Sequence, residues 1–472
     1  MGAHAKHLAL ARGAWLLGAA ALLLGAFTHR HDDPWDYDEG PLLQASALWR
    51  EGDELYVTVP FNKPPVLALW LRLVFALGGQ SVPAVRLSLA ALSALGVLCL
   101  GALTEGAFGA LASVVCVALW CLLPEVPARA GAVMPDFAAL ALGLGALVAL
   151  ERAQQRPGWR PSVLAGALLA LSLGCQTAMV TLLPVFVLSA LWRPPGALHA
   201  PSRVLGTSAL AAAVTALGIL LPFDTAALLR WVLGYNLAGR EVAGALAGRS
   251  GALVLATLVQ HRWLALLGAL GAVLAWRERA LRREVARVGL WWATTALALC
   301  LWRPLWGSYL VLLLLPLAVL AGAAVGQVVR YRTNGGRWAL VVVSVLSIAL
   351  LWQRAGDHVP WTGRSYEALR LRRDLRARVR PGERVLTDAQ FEVFAAGRRV
   401  PARLADTSFK RVRTGLLTMR DLERELRRPE VRWALLATGR LEELPGLVPW
   451  LEARSVGRWR YGGATLYALP PP

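Results

Sequence analysis

The sequence predicts a polytopic α-helical membrane protein with a small soluble α/β domain at its C-terminal end. Three observations predict this. The chain is 56% hydrophobic over 472 residues, with a mean hydropathy of +0.49, and is divided into apolar runs of roughly the length that crosses a hydrocarbon layer about 30 Å thick. Its basic excess, 50 Lys and Arg against 30 Asp and Glu, falls mainly in short connectors between those runs. From about Gly356 the pattern changes to a charged amphipathic stretch followed by short buried-strand patterns.

Taken in order, the apolar runs cover roughly 11–28, 65–79, 84–103, 107–123, 131–150, 162–175, 177–192, 204–222, 252–276, 288–303, 308–328 and 338–353. The first follows a basic start and has no small-residue cleavage site after it, so it reads as a retained span. The connectors Arg152–Arg160, Arg193–Arg203, Arg277–Arg287 and Arg330–Arg337 carry the arginine excess of cytoplasmic loops. The first loop, Phe223–Gly251, Arg303–Ser308 and the C-terminal region then lie on the opposite face. That arrangement needs an odd number of crossings, about 11, with one short segment in 65–123 as a half-span or re-entrant helix.

Residues 1–354 form the membrane module on this reading, with 29–64 as its first extracytoplasmic loop, and residues 355–472 form the soluble extracytoplasmic α/β domain. In that domain RVLTD, RWALLAT and GATLYAL read as strands and MRDLERELRR as an exposed helix. It contains no glycine-rich phosphate loop and no Ser-His-Asp set, so it reads as a lid or packing domain. The five cysteines sit in apolar runs without a CxxC pair, which predicts neither a disulfide framework nor a structural metal. Basic charge confined to loops between spans speaks for topology and membrane-lipid contact, not for nucleic acid.

The first loop, Asp32 to Pro65, holds eight acidic residues and one lysine in a basic chain. Asp38 and Glu39 precede a short helical run, Pro41 to Arg50, where a carboxylate is electrostatically favoured and suits a general base. Helix capping explains the same placement equally well. Lys63 is one of three lysines, with Lys6 and Lys410, and stands before Pro64-Pro65 on a rigid platform from which it can meet a phosphate or anchor a headgroup. Asp136 opens an apolar run and needs a polar cavity or a capping role to be tolerated there. Arg86, beside a short span, and Arg303 and Tyr309, at the start of a late span, are candidates to bind a lipid phosphate together, and each arginine taken singly reads as a snorkelling anchor.

The run YDEGPLLQASALWREGDELYVTVPFNKPPVLALWLRLVFALGG, then AVRLSLAAL, then VMPDFAALALGLGALVAL, resembles the membrane-embedded GT-C glycosyltransferases of the protein O-mannosyltransferase superfamily. Within it the chain is similar to the bacterial branch that contains the aminoarabinose transferase acting on lipid A. Weaker similarity extends through LWGSYLVLLLLPLAVLAG and GERVLTDAQFEVFAAGRRVPARL. The resemblance implies a GT-C fold and transfer of a sugar from a polyprenyl-phosphate donor to a lipid, glycan or protein hydroxyl. The reaction would occur on the outer face of the cytoplasmic membrane, with inversion.

It further implies Asp38 as catalytic carboxylate with Glu39 its neighbour, Lys63 as the donor-phosphate ligand and Asp136 as a second acid of the cavity. Three positions depart from the family: Asn62 replaces an acid, Thr177-Ala178-Met179 replaces Thr-Lys-Gly, and Leu233-Gly234 stands where a metal-liganding Glu-His is found. No metal or other cofactor is therefore expected, and a monomer is. The rivals are a glycan polymerase or ligase, which would use a similar cavity, and a transporter or non-catalytic lipid-binding scaffold. A transporter should show discontinuous spans that meet near the midplane and often an internal repeat, whereas this chain concentrates its acids in loops at one face.

Overall fold

A computed structural model of the chain describes residues 3–28, 34, 36–156, 158–192, 199–242, 250–303, 305–330 and 364–470. Eleven of the twelve apolar runs are helical in it. The twelfth, 338–353, the connector after Arg330 and the start of the C-terminal region lie outside the described residues, as does the stretch 193–198 of another connector.

Among the described residues four helices, Val82–Phe108, Pro201–Leu220, Arg282–Leu301 and Gly307–Val329, are long and apolar enough to cross a membrane by themselves. Others are shorter. Val66–Gly78 and Ala110–Leu122 have 13 residues each, which at 1.5 Å per residue is about 20 Å and less than a hydrocarbon layer. Gly109, at φ +92°, separates Val82–Phe108 from Ala110–Leu122 in a conformation that glycine adopts without steric cost.

The run 252–276, continuous in hydropathy, is two helices, Ser250–Gln260 and Arg262–Arg277, meeting at 83°. The polar triplet Gln260-His261-Arg262 interrupts it, and His261 Nε2 lies 3.2 Å from Glu125 Oε1, so the break is fixed by a polar partner from another helix. Tight packing holds the bundle elsewhere. At Gly166, Gly271 and Gly322 a β-carbon would overlap the backbone of a neighbouring helix, the close approach that small residues permit.

The C-terminal unit opens with the helix Arg364–Arg378 and contains four strands: β1 Arg384–Thr387, β2 Val431–Leu436, β3 Gly457–Tyr461 and β4 Ala464–Ala468. Their order is β1-β2-β4-β3, with β1 parallel to β2 and the other pairs antiparallel. β1, β2 and β4 are the strands the sequence patterns predict. β3 was not expected, because its sequence GRWRY alternates two exposed arginines with Gly457, the half-buried Trp459 and the buried Tyr461, too short a pattern to read as a strand. The helix Met419–Leu426, where the sequence predicts an exposed helix, is opened by a Thr418–Asp421 capping box and buries one face through Leu422, Glu425 and Leu426.

This unit sits on the first loop. The loop helix Glu39–Arg50 packs against Gln390–Ala395 so closely that a β-carbon at Gly40 would overlap the Phe391 backbone nitrogen. Gln44 Nε2 donates to the carbonyls of Gln390 and Arg398 at 3.3 and 3.1 Å, Arg399 Nε meets Glu51 Oε1 at 2.7 Å, and Phe394 stacks on Phe75 at 5.7 Å. The C-terminal unit and the first loop therefore occupy the same end of the molecule. The basic connectors gather elsewhere: Arg287 pairs with Glu151 at 2.6 Å, and Arg283 donates to the carbonyl of Trp192.

Gly40→Ala is expected to unseat the C-terminal unit at a cost of about 1–3 kcal/mol, the usual penalty for overfilling a packed contact. Thermal unfolding in detergent tests this, and an unchanged midpoint would show that the two backbones do not meet there.

Candidate active site

The helix Glu39–Arg50 begins at Asp38, whose side chain makes no capping hydrogen bond. It turns away from its own helix and meets Lys63, with Nζ 3.3 Å from Oδ2. The capping explanation of this carboxylate is thus not the one the structure adopts. The lysine side chain is 11% exposed and the aspartate 32%, so the cation is the more deeply set partner.

Lys63 is held by an unusual local backbone. Tyr56 takes φ +72°, a left-handed conformation that costs a non-glycine residue on the order of 1 kcal/mol. The buried Tyr56 ring is wedged edge-on against Phe61 and Phe223, and its hydroxyl donates to the Lys63 carbonyl at 2.8 Å. Pro65 then caps the helix Val66–Gly78, fixing the chain on the other side of the lysine. Burial alone would lower the Lys63 pKa. Its interactions with Tyr309, Asp38 and Asp136 outweigh that and hold the ammonium above its ordinary value.

These residues border a cavity of about 420 Å³. Asp36, Tyr37, Asp38, Asn62 and Lys63 form its wall on the first loop; Arg303 and Tyr309 enter from the start of a late helix. The C-terminal unit supplies Ser408, Phe409, Lys410 and Arg440. Six basic side chains line it (Lys63, Arg129, Arg240, Arg303, Lys410, Arg440) against the carboxylates of Asp36 and Asp38. A partly enclosed space with that imbalance is suited to a phosphate group.

The wall facing Asp38 is a hydrogen-bonded network. Thr407 N donates to the Tyr37 hydroxyl at 2.9 Å, Ser408 N donates to Asp406 Oδ1 at 2.8 Å, and the hydroxyls of Ser408 and Tyr235 are 2.8 Å apart. Arg440 lies 3.8 Å from the Tyr37 ring centre. Burial pushes the Asp406 carboxyl above its usual range and Asp38 adds to that, with Arg411 and the Ser408 N–H opposing.

The structure brings Asp38, Lys63, Arg303 and Tyr309 together at the cavity and sets Asp136 just behind. Asp136 is buried, accepts a hydrogen bond from Gln176 at 3.0 Å and acts electrostatically on Lys63. Glu39 and Arg86 are not among the residues that line the cavity. Glu39 is fully buried: Arg86 Nη2 bonds Oε2 at 2.9 Å and the Val133 N–H bonds Oε1 at 2.6 Å. That geometry fits a structural ion pair and gives neither residue direct access to a phosphate in the cavity. Asp224 similarly caps the helix Thr225–Leu229.

Arg129, Arg240, Lys410 and Arg440 were not singled out from the sequence. Lys410 alone carried a signal, as one of three lysines. Among the described residues no group of three His, Cys, Asp or Glu side chains is placed to hold a metal ion. Leu233, at the position where the resembling family has a metal ligand, lines the cavity with an apolar side chain.

A model of the dolichyl-phosphate-mannose-protein mannosyltransferase family matches residues 62–223, about a third of the chain. No curated protein matches the sequence. Among solved structures, ArnT from Cupriavidus metallidurans bound to undecaprenyl phosphate has a TM-score of 0.62 at 14% identity, covering 98% of this chain and 97% of that one. Archaeal oligosaccharyltransferase AglB from Archaeoglobus fulgidus, in complex with an inhibitory peptide and a dolichol-phosphate, has a TM-score of 0.50 at 13% identity over 97% of this chain and 74% of that one. The chain shares its fold with these two structures, the likeness of fold that the sequence resemblance implied.

Arg86→Met should separate the structural assignment from the catalytic one. Leaving Glu39 buried without its partner is expected to cost about 3–5 kcal/mol, read as a fall in the unfolding midpoint. An unaltered midpoint together with weakened phosphate binding would return Arg86 to the site.

Proposed function

We propose that this chain is a multi-pass membrane glycosyltransferase that moves a sugar from a polyprenyl-phosphate carrier to the hydroxyl of a lipid, glycan or protein acceptor. The observation that carries the reading is the Asp38–Lys63 pair at 3.3 Å, a base and a phosphate ligand side by side in a strongly cationic cavity. The fold shared with structures bound to undecaprenyl phosphate and dolichol-phosphate supports it.

In the proposed reaction Lys63, Tyr309 and Arg303 hold the donor phosphate, and Asp38 accepts the proton of the acceptor hydroxyl as its oxygen attacks the anomeric carbon. The bond from that carbon to the phosphate oxygen breaks, and the carrier leaves as a phosphate monoester whose added charge the same cations stabilise. One displacement from the side opposite the phosphate inverts the anomeric centre. Asp136 keeps Lys63 charged, and the Glu39–Arg86 pair orients the helix start that presents Asp38. The donor is already activated by its phosphate, so the reaction needs no nucleotide-binding domain, and no step is routed through a metal.

The cavity is bordered by the first loop, by residues 232–240 and 302–309, by Arg129, Met134 and Thr177 and by the C-terminal unit, and the arginine excess in the connectors supports a reading in which the loops among these face away from the cytoplasm. We therefore take the enzyme to lie in the cytoplasmic membrane with its active site and residues 355–472 on the outer face, about 11 crossings, and a monomeric working form.

Transfer from a panel of radiolabelled polyprenyl-phosphate sugars by the full chain in lipid nanodiscs tests the class. Asp38→Asn is expected to lower turnover by roughly 10²- to 10⁴-fold, the usual contribution of a general base, while carrier binding persists. Full activity in that variant would remove Asp38 as the base. Lys63→Ala is expected to weaken binding of the carrier phosphate by roughly 10- to 100-fold, measured directly with the phosphorylated lipid. Reporter fusions after residue 337 and after Pro472 should report opposite sides of the membrane; the same side for both would refute the topology.

A further inference from the structure

The C-terminal unit reaches the cavity through Arg440, Ser408 and the start of one short helix, Phe409–Arg413, whose second residue is Lys410. The placement of this side chain is built from several independent contacts. Its ammonium donates to Asn236 Oδ1 at 2.9 Å and lies 4.0 Å from the centre of the Tyr235 ring. Its stem crosses the helix Tyr235–Val242 at Gly239, where any β-carbon would overlap Lys410 Cε. Glycine at 239 leaves the path that the lysine occupies.

An ammonium carries three donors, and Asn236 takes one of them. Among the described residues Lys410 forms no ion pair, whereas Lys63 has Asp38. Both lysines line the same cavity, and they repel one another. Two cations aimed into one space, one of them without a carboxylate at contact distance, form a receptor lacking its anion.

We propose that Lys410 is the second jaw of a phosphate clamp whose first is Lys63, so that the C-terminal unit is part of the donor site and closes on the carrier phosphate from the side opposite the helical bundle. This rests on the reading of the cavity as a polyprenyl-phosphate site and assigns within it a ligand from the soluble unit.

The charge state supports the geometry. Burial and the neighbouring Lys63 pull the Lys410 pKa down to about 8, against the opposing fields of Asp406 and Asp38. Among the groups around it, Lys63 is raised and Tyr235 is raised well above its ordinary value by burial, and Arg240 and Arg440 also line the cavity. Since a phosphate monoester is largely dianionic above about pH 7, a loss of affinity as pH rises through about 8 belongs to Lys410. The sign follows: the protonated lysine binds the anion and the neutral one does not.

The test is equilibrium binding of a radiolabelled polyprenyl phosphate to the full chain in nanodiscs from pH 7 to 9.5, with the unphosphorylated polyprenol as control. Wild type should bind the phosphate and not the alcohol, with affinity falling above about pH 8. Lys410→Met should bind roughly 10- to 100-fold more weakly at pH 7 and lose that alkaline limb. Lys410→Arg should retain binding and flatten the limb, which a merely structural lysine would not do. Wild-type affinity and pH profile in Lys410→Met, alongside lost binding in Lys63→Ala, would overturn the clamp and leave the donor site standing. Equal loss in Lys410→Met and Lys410→Arg would also overturn it. Absence of phosphate binding by wild type would remove the donor-site reading and the clamp together.

Discussion

Glu39 is fully buried and is satisfied by Arg86 on one side and by the Val133 N–H on the other. A buried carboxylate without such partners would be strongly destabilising, so the pair sets the rotation of the helix that starts there. The consequence reaches the residue before it. With Glu39 turned into the bundle, Asp38 is presented to the cavity, where it meets Lys63. Two adjacent acids thus do different work because consecutive side chains at a helix start leave in different directions.

The same helix start bears the C-terminal unit. Gly40 allows the Phe391 backbone to approach, and Phe391 in turn lies under the guanidinium groups of Arg86 and Arg372. The first loop is consequently held between the helical bundle and the C-terminal unit. The six cations and two carboxylates on the cavity wall come from several parts of the chain, and two of the cations rest on aromatic faces, Arg440 on Tyr37 and Lys410 on Tyr235. The C-terminal unit lines the cavity as well as packing on the first loop.

Much of this was legible in the residues. Each apolar run among the described residues became helix, since an uninterrupted apolar stretch has few other ways to satisfy its backbone in lipid. Asp38, Lys63, Arg303 and Tyr309 were all chosen from sequence and share one cavity. The misses have physical causes. The run 252–276 looks continuous because hydropathy averages over His261, whereas its 83° break depends on a polar contact with Glu125. β3 was invisible because an edge strand with alternating arginines reads as solvated loop.

What the sequence by itself determined is the part governed by transfer from water: which segments are helical, which loops share a face, and where an isolated acid or base sits among apolar neighbours. Tertiary structure alone decided which charge meets which. Asp38 and Glu39 are equivalent as letters; their partners lie 25 and 47 residues further along the chain. Lys410 reaches the cavity only because the C-terminal unit folds back onto the first loop and crosses Gly239. Ion pairing depends on distance and on the loss of water around both groups, and neither quantity exists until the chain has folded.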